Sequence, residues 1–242
     1  MARQKFDELN STYKKYAEKW FDKMDITAGD KKRRVQLCLD YCEIIIMLFE
    51  MLEDGESRDN LYKFAEERFN IIADNYVGQE DLTYINDWSK QEAERIVDKT
   101  LEKYEEVKNL SPVKYEVVKD ENGNTYTIKP KEYSFEDFGV TVPESEYWTS
   151  NIRGLLLGIE CAIAVSNYYE LYDALEKGKT HKVWRTEGDD RVRATHTEVD
   201  GADIPITDLF QVGDSYLLFP GDISNGASEQ EVCNCRCTLE FY

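Results

Sequence analysis

The last quarter of the chain contains the stretch that decides how it folds. It reads HKVWRTEGDDRVRATHTEVDG over residues 181–201 and EQEVCNCRCTLEFY over residues 229–242. Histidine and cysteine are scarce elsewhere, yet these two segments hold both histidines of the chain and three of its six cysteines. We therefore expect the polar side chains of this stretch to meet in one small β-containing module and to hold it together.

Short strands and tight turns are predicted along this stretch. Residues 181–186 predict a strand, and the acidic residues 187–190 predict a turn. Asp190 is placed to cap a short helix after that turn. The helix would carry the basic residues of the motif, Arg191, Arg193 and His196. A second tight turn is predicted at Asp200 and Gly201, and a further short strand at residues 217–219.

The closing segment, residues 232–241, predicts a final strand in which cysteines alternate with polar residues. A strand period of two puts all the thiols on one face and the residues between them on the other. The thiols are those of Cys233, Cys235 and Cys237, and the intervening residues are Asn234 and Arg236. Three interpretations stay open for the thiols: packed free cysteines, a disulfide, or ligands of a zinc ion.

A zinc ion would draw on two of these thiols and on a histidine. The ligands would be His196, Cys235 and Cys237, with His181 or Asp189 as a fourth. The Cys-x-Cys spacing is tighter than that of the usual zinc knuckle. A disulfide would more readily involve Cys161, because near neighbours in an extended strand lie at the upper limit of the allowed Cα separation. No other cofactor is predicted.

The two arginines and His196 allow two interpretations. In the first, all three side chains are at least partly buried and pair with backbone carbonyls or with carboxylates near Asp189 and Asp200. In the second, His196 is a general base and Arg191 and Arg193 bind phosphate, as in a small ribonuclease. The sequence offers no second acid or base at a telling distance, so we favour the first interpretation and expect no catalysis.

The preceding residues predict helices and then a hairpin. Residues 1–110 contain four helical patterns, at 3–24, 31–53, 57–75 and 79–110, and are expected to form a helical bundle. Residues 111–148 predict a β-hairpin around Asn122-Gly123, then a surface loop from Tyr133 to Tyr147. Aromatic side chains of that loop either cover the core or form a docking surface. Residues 149–242 begin with a long helix, capped at Thr149 or Ser150, that leads into the C-terminal module. The fold class is therefore α+β.

The composition argues against several classes of protein. The 242 residues carry a formal charge of −19, which repels nucleic acid, because nonspecific DNA binding depends on basic residues that neutralise phosphates. The first 20 residues show no secretory signal. The most apolar window, residues 154–165, is too short to span a bilayer and is interrupted by Glu160. Six cysteines without a secretory signal favour reduced thiols or a metal site over a disulfide framework.

Taken in order, the motifs of the last quarter resemble the Mu F-like family of phage minor head proteins, also called the phage head morphogenesis family. The resemblance covers roughly residues 152–242. It rests on Trp184, on Asp189-x-Arg191-Val192-Arg193-x2-His196, on Asp200-Gly201, on Phe210, on Pro220-Gly221-Asp222 and on the closing Asn234-Cys235-Arg236-Cys237. Two features depart from the family pattern: Cys233 adds a thiol before the usual pair, and of the Arg-Thr-Glu often found in the preceding helix only an acid, Glu160, is kept.

The resemblance implies a structural role without enzymatic activity. Family members are low-copy components of the phage head that act at or near the portal vertex in head assembly or DNA delivery. The implied partners are the portal and other head proteins, with no direct binding to duplex DNA and no membrane. The implied location is the virion, and the host cytoplasm during assembly. The alternatives are a phosphate-directed hydrolase or nuclease that uses Arg191, Arg193 and His196, and a cytoplasmic regulator with a zinc-stabilised module.

Overall fold

The structure is a computed structural model that describes residues 2–78, 82–108, 116–119, 121–128 and 131–242. It confirms the predicted α+β class, with long helices first and short antiparallel sheets after them. The helices are α1 (Ala2–Phe21), α2 (Ala28–Glu53), α3 (Arg58–Val77), α4 (Thr83–Val107), α5 (Glu144–Tyr147), α6 (Asn151–Glu176), α7 (Ala194–Val199) and α8 (Glu229–Val232). The strands are β1 (Glu116–Lys119), β2 (Thr125–Ile128), β3 (Glu132–Phe135), β4 (Val140–Pro143), β5 (His181–Arg185), β6 (Asp203–Pro205), β7 (Phe210–Val212), β8 (Ser215–Leu217) and β9 (Thr238–Phe241).

Side-chain caps begin three of the long helices. Thr27, Ser57 and Ser150 each accept a hydrogen bond from the backbone N–H three residues further on. Each bond satisfies one of the N–H groups that the first turn of a helix leaves without a partner. The predicted caps at Ser57 and Ser150 are confirmed. The predicted ends of the fourth helix, residues 79–81 and 109–110, lie outside the described residues.

Helix α6 lies at the centre of the core, between α2 on one side and the last strand on the other. Its apolar side chains are buried around most of its circumference. Gly158 allows its backbone to lie directly on α2. A Cβ at that position would lie 2.6 Å from the carbonyl oxygen of Cys38 and 3.1 Å from the Cβ of Cys42. The contact between α2 and α6 therefore depends on the missing side chain.

The hydrophobic core continues across the boundaries predicted at residues 110 and 148. One cluster of buried side chains joins Trp20 of α1, Phe49 of α2, Leu155 of α6 and Trp184 of β5. The C-terminal strands consequently pack on the same core as the helical bundle.

The first predicted hairpin is present, with β1 and β2 antiparallel and Lys119 paired with Thr125. The outer residues of its predicted strands, 113–115 and 129–130, lie outside the described residues. Gly123 in the turn has a φ of 82°, a left-handed conformation that glycine adopts without steric cost.

The predicted surface loop at residues 133–147 is wrong. This segment forms the antiparallel pair β3–β4 followed by α5. Phe138 at the turn of the pair is buried, and its ring lies 4.9 Å from that of Tyr16 and 6.4 Å from that of Trp20, measured between centroids. Phe135 and Tyr147 are half-buried and stack on each other. These aromatic residues largely cover the protein's own core.

The C-terminal module contains a three-stranded antiparallel sheet in the order β6-β5-β9 and a separate pair, β7–β8. The strand predicted at residues 181–186 is confirmed as β5, whereas the one predicted at residues 217–219 lies earlier, as β8. The predicted short helix begins later than expected, with Arg193 instead of Asp190 at its N-cap.

The predicted final strand is wrong over its first half. Residues 229–232 form α8, and only residues 238–241 form a strand. Asn234 has a φ of 54°, whereas an extended strand requires a negative φ. This one residue turns the chain between the short helix and the strand, so the three cysteines do not share one strand face.

Replacing Gly158 by alanine is expected to lower the free energy of unfolding by about 1–3 kcal/mol, because the added methyl group overpacks the α2–α6 contact. The nearest atom belongs to the backbone of Cys38 and cannot move aside as a flexible side chain does. Gly29→Ala is the matched control, since its nearest neighbour lies 3.7 Å away and alanine favours a helix. Urea denaturation measures both variants. Equal stability of Gly158→Ala and the wild type would show that the two helices are not packed this closely.

Candidate functional site

His196 lies at the centre of the candidate site, on the short helix α7. Its Nδ1 atom is 3.3 Å from the sulfur of Cys237 and 3.7 Å from the sulfur of Cys235. All three side chains belong to residues that are at most 3% exposed. They are the predicted zinc ligands, and their donor atoms lie within 4.8 Å of one another.

The other ring nitrogen of His196 contacts an acid that the sequence analysis did not single out. Nε2 lies 3.1 Å from the Oε2 atom of Glu231, which also accepts a 2.8 Å hydrogen bond from the hydroxyl of Thr195. Glu231 is on α8, just before the segment 232–241 that the sequence predicts as strand. The sequence does contain a signal for the start of α8, because Ser228 followed three residues later by Glu231 is the S-x-x-E pattern of a helix start.

The two thiols facing His196 have opposite protonation tendencies. The pKa of Cys235 lies well below its ordinary value. The main cause is a hydrogen bond with Cys237, which outweighs the effect of burial, and the neighbouring His196 lowers the pKa further. The same hydrogen bond and burial raise the pKa of Cys237. Burial lowers the pKa of His196, but the hydrogen bond and charge of Cys235, with a contribution from Glu231, leave it raised overall. These opposite pKa shifts favour ionisation of Cys235 over ionisation of Cys237.

Aromatic side chains close the site on its inner side. Trp184 is fully buried on β5, and its ring meets that of His196 nearly edge-on, with 5.6 Å between centroids and 88° between planes. Phe210 of β7 also packs against Trp184, with 5.2 Å between centroids and 73° between planes. Trp184 is thus a packing residue that orients the imidazole.

Two arginines of the motif tie the loop before α7 to the cysteine segment. Arg236 donates to both carboxylate oxygens of Asp189, over 2.8 and 2.6 Å. Arg193 is half-buried and donates to the carbonyl oxygen of Cys233. Asn234, between these two contacts, provides the left-handed turn that points Cys235 towards His196. The predicted partial burial and pairing are therefore confirmed for Arg193 and His196.

The same prediction is wrong for Arg191, which is exposed. Its guanidinium pairs over 2.8 Å with Asp137 of the β3–β4 turn, because Asp189 is already engaged by Arg236. Asp200 is also exposed and accepts a 2.8 Å hydrogen bond from the backbone N–H of Thr186. Gly201 has a φ of 78°, as the predicted tight turn requires.

The suggested fourth zinc ligands lie away from the cluster. Asp189 is held by Arg236, and His181 is exposed at the start of β5, next to the hydroxyl of Thr180. The disulfide interpretation is not realised, since all six cysteines are free thiols. Cys233 lies apart from the pair. Burial, and to a smaller extent the charge of Glu160, raise the pKa of its thiol to about 12.

An open pocket of about 660 Å³ lies beside the site, between α1, the β3–β4 turn and the cysteine segment. Its lining includes the three arginines of the motif, Arg191, Arg193 and Arg236. Each of them already has a carboxylate or carbonyl partner, and His196 is not part of the lining. The arginines and the imidazole therefore do not converge on one accessible point.

Comparisons with protein-family models, with curated proteins and with solved structures found no match. Within the described residues, every helix is too short or too polar to cross a bilayer. The functional interpretation consequently depends on the sequence motifs and on the geometry of the site.

Arg236→Ala is expected to lower the free energy of unfolding by about 1–3 kcal/mol, because it removes a buried guanidinium and its two charge-assisted hydrogen bonds to Asp189. Arg191→Ala removes an exposed ion pair in the same segment and is expected to change the stability by less than about 1 kcal/mol. Thermal and urea denaturation compare the two variants. A larger loss for Arg191→Ala than for Arg236→Ala would contradict the assignment of Arg236 as the structural arginine.

Proposed function

We propose that this chain is a minor head protein of a tailed phage, a low-copy structural component that acts at or near the portal vertex in head assembly or DNA delivery. The proposal rests on one observation: the motif residues pack and form hydrogen bonds within the protein itself. Trp184 packs on His196, Arg236 pairs with Asp189, and Arg193 donates to the carbonyl of Cys233. Trp184, His196 and Arg236 are buried. Motif residues that are engaged in contacts within the chain are typical of a structural module. This supports the resemblance to the Mu F-like family.

The geometry argues against the alternative of a phosphate-directed hydrolase. A general base has to reach the proton that it abstracts, but His196 is 1% exposed and faces two thiols and Glu231. Arginines that bind phosphate have to offer free N–H groups, whereas Arg236 is committed to Asp189 and Arg191 to Asp137. No enzymatic role is part of the proposal.

The proposed partners are the portal and other head proteins. A chain with a formal charge of −19 repels the DNA that fills a phage head. Any contribution to packaging or ejection would therefore act through a protein partner. The proposed location is the virion, with the host cytoplasm as the place of assembly.

The test is the composition of purified heads. Heads of the phage or prophage that carries this gene are isolated on density gradients, and their proteins are quantified by mass spectrometry. We expect the chain at a few per cent or less of the molar amount of the major capsid protein, and cross-linked to the portal. Heads that contain no copy of the chain and show no assembly or infectivity defect when its gene is deleted would overturn the proposal.

The purified protein is expected to cleave neither RNA nor DNA, with or without divalent metal ions, because its imidazole is closed off from solvent. Cleavage is followed by gel electrophoresis of labelled oligonucleotides. His196→Ala and His181→Ala are compared, since His181 is exposed and outside the cluster. Turnover that disappears only in His196→Ala would replace the structural proposal by the nuclease alternative.

The isolated protein is expected not to bind duplex DNA at about 150 mM salt, because its formal charge of −19 repels the phosphates. At that salt concentration charges are screened beyond about 8 Å. A gel-shift titration to micromolar protein measures this. Micromolar affinity that weakens with rising salt would show that basic residues contact the phosphates, and would contradict the prediction.

A further inference from the structure

We infer that His196, Cys235 and Cys237 bind a zinc ion that fixes the C-terminal module. The inference stands apart from the proposed function, because it concerns what these three side chains hold and not where the protein acts. It rests on four observations: the distances between the donor atoms, the number of partners around one nitrogen, the acid behind the imidazole, and the backbone bond to one sulfur.

The distances agree with tetrahedral coordination. Bonds of about 2.3 Å to sulfur and about 2.0 Å to nitrogen, at a tetrahedral angle, separate a sulfur ligand from a nitrogen ligand by about 3.5 Å. The Nδ1 atom of His196 lies 3.3 Å from one sulfur and 3.7 Å from the other. Both values lie within about 0.2 Å of the separation that a shared ion imposes.

One nitrogen of the imidazole serves both sulfurs. A neutral imidazole nitrogen offers either one lone pair or one N–H, yet Nδ1 of His196 lies within hydrogen-bonding distance of two sulfurs at once. As hydrogen bonds, the two contacts would have to share that one group. An ion that accepts the lone pair and both sulfurs satisfies all three groups together.

The partner on the far side of the ring selects the tautomer that a metal needs. The Oε2 atom of Glu231 lies 3.1 Å from Nε2 of His196 and is itself held by Thr195. A carboxylate accepts hydrogen bonds, so Nε2 carries the proton and Nδ1 keeps its lone pair towards the thiols. Zinc-bound histidines characteristically donate their other N–H to a carboxylate, a carbonyl or a water. Glu231 is therefore a positioning residue for His196.

The backbone supports a charged sulfur at Cys235. The N–H of Cys237 points at the Cys235 sulfur over 3.4 Å, and such a bond stabilises the thiolate that a metal requires. The left-handed turn at Asn234 produces this arrangement. It brings two thiols one residue apart to the same ion despite their short spacing.

Charge balance and burial fit a structural ion. Two thiolates neutralise a divalent cation, so the cluster avoids the cost of a buried net charge on the metal. In the described part of the chain these three residues form the only group of metal-binding side chains that converges in this way. The described residues offer the ion these three protein ligands. Binding releases the thiol protons to solvent, so the affinity should rise with pH.

The experiment uses the full chain, freed of any affinity tag and reduced before reconstitution. Elemental analysis after gel filtration is expected to give about one zinc per chain. The cobalt-substituted protein is expected to show the sulfur-to-cobalt charge-transfer band and the intense visible bands of tetrahedral thiolate coordination. Removal of the metal by a chelator should lower the melting temperature, and added zinc should restore it.

Variants separate this site from chance binding. Cys235→Ser and Cys237→Ser should each lower zinc affinity by at least 100-fold, whereas Cys233→Ser, on the same segment but outside the cluster, should leave it within about twofold. Glu231→Gln keeps the size of the side chain and should weaken binding by about 10-fold or more. The cobalt spectrum of the wild type keeps the test valid if a cysteine variant fails to fold.

Two results would overturn the inference. One is a folded, reduced wild-type protein that takes up less than a tenth of an equivalent of zinc and has the same melting temperature with and without chelator. The other is zinc that binds while the cobalt-substituted protein lacks the charge-transfer band, or zinc that the Cys235→Ser and Cys237→Ser variants bind with unchanged affinity.

Discussion

The arrangement of the helices relative to the C-terminal module depends on the side chain of Asn167. This residue of α6 is fully buried, and its amide nitrogen donates to the carbonyl oxygens of Pro220 and Cys237 over 2.9 and 3.3 Å. Its amide oxygen accepts a 3.2 Å hydrogen bond from Arg34 of α2, which also pairs with Glu170. Loss of Asn167 would leave buried polar groups unsatisfied, each at a cost of about 1–3 kcal/mol. One amide therefore holds α2, α6 and the cysteine segment in a common register.

This register also positions the candidate site. The carbonyl that Asn167 holds belongs to Cys237, whose sulfur faces His196. The imidazole is fixed from three sides by Trp184, Glu231 and the thiols. The hydrogen bonds of Asn167 therefore link the position of the cluster to the helices α2 and α6.

Much of the fold could be predicted from local patterns. The long helices, the caps at Ser57 and Ser150, the first hairpin and β5 all follow from periodicity and turn chemistry. The predicted zinc ligands His196, Cys235 and Cys237 do come together. The prediction of the final strand is wrong over its first half, because Asn234 adopts a left-handed backbone conformation. The alternation of cysteines and polar residues in the sequence does not reveal that conformation. The partner of Arg191 was missed for another reason: Asp137 is 54 residues away in the sequence, and long-range ion pairs leave no local signal.

The order of strands in the sheet β6-β5-β9 has a consequence for the path of folding. Trp184 in β5 pairs with Leu239 in β9, so the sheet closes a loop of more than fifty residues. Closing such a loop costs chain entropy before any contact compensates it, which slows folding. The helices α2 and α6 and strand β5 are all synthesised before β9, and can present a finished surface to it. The module would then form last, with β9 docking onto a scaffold that already exists.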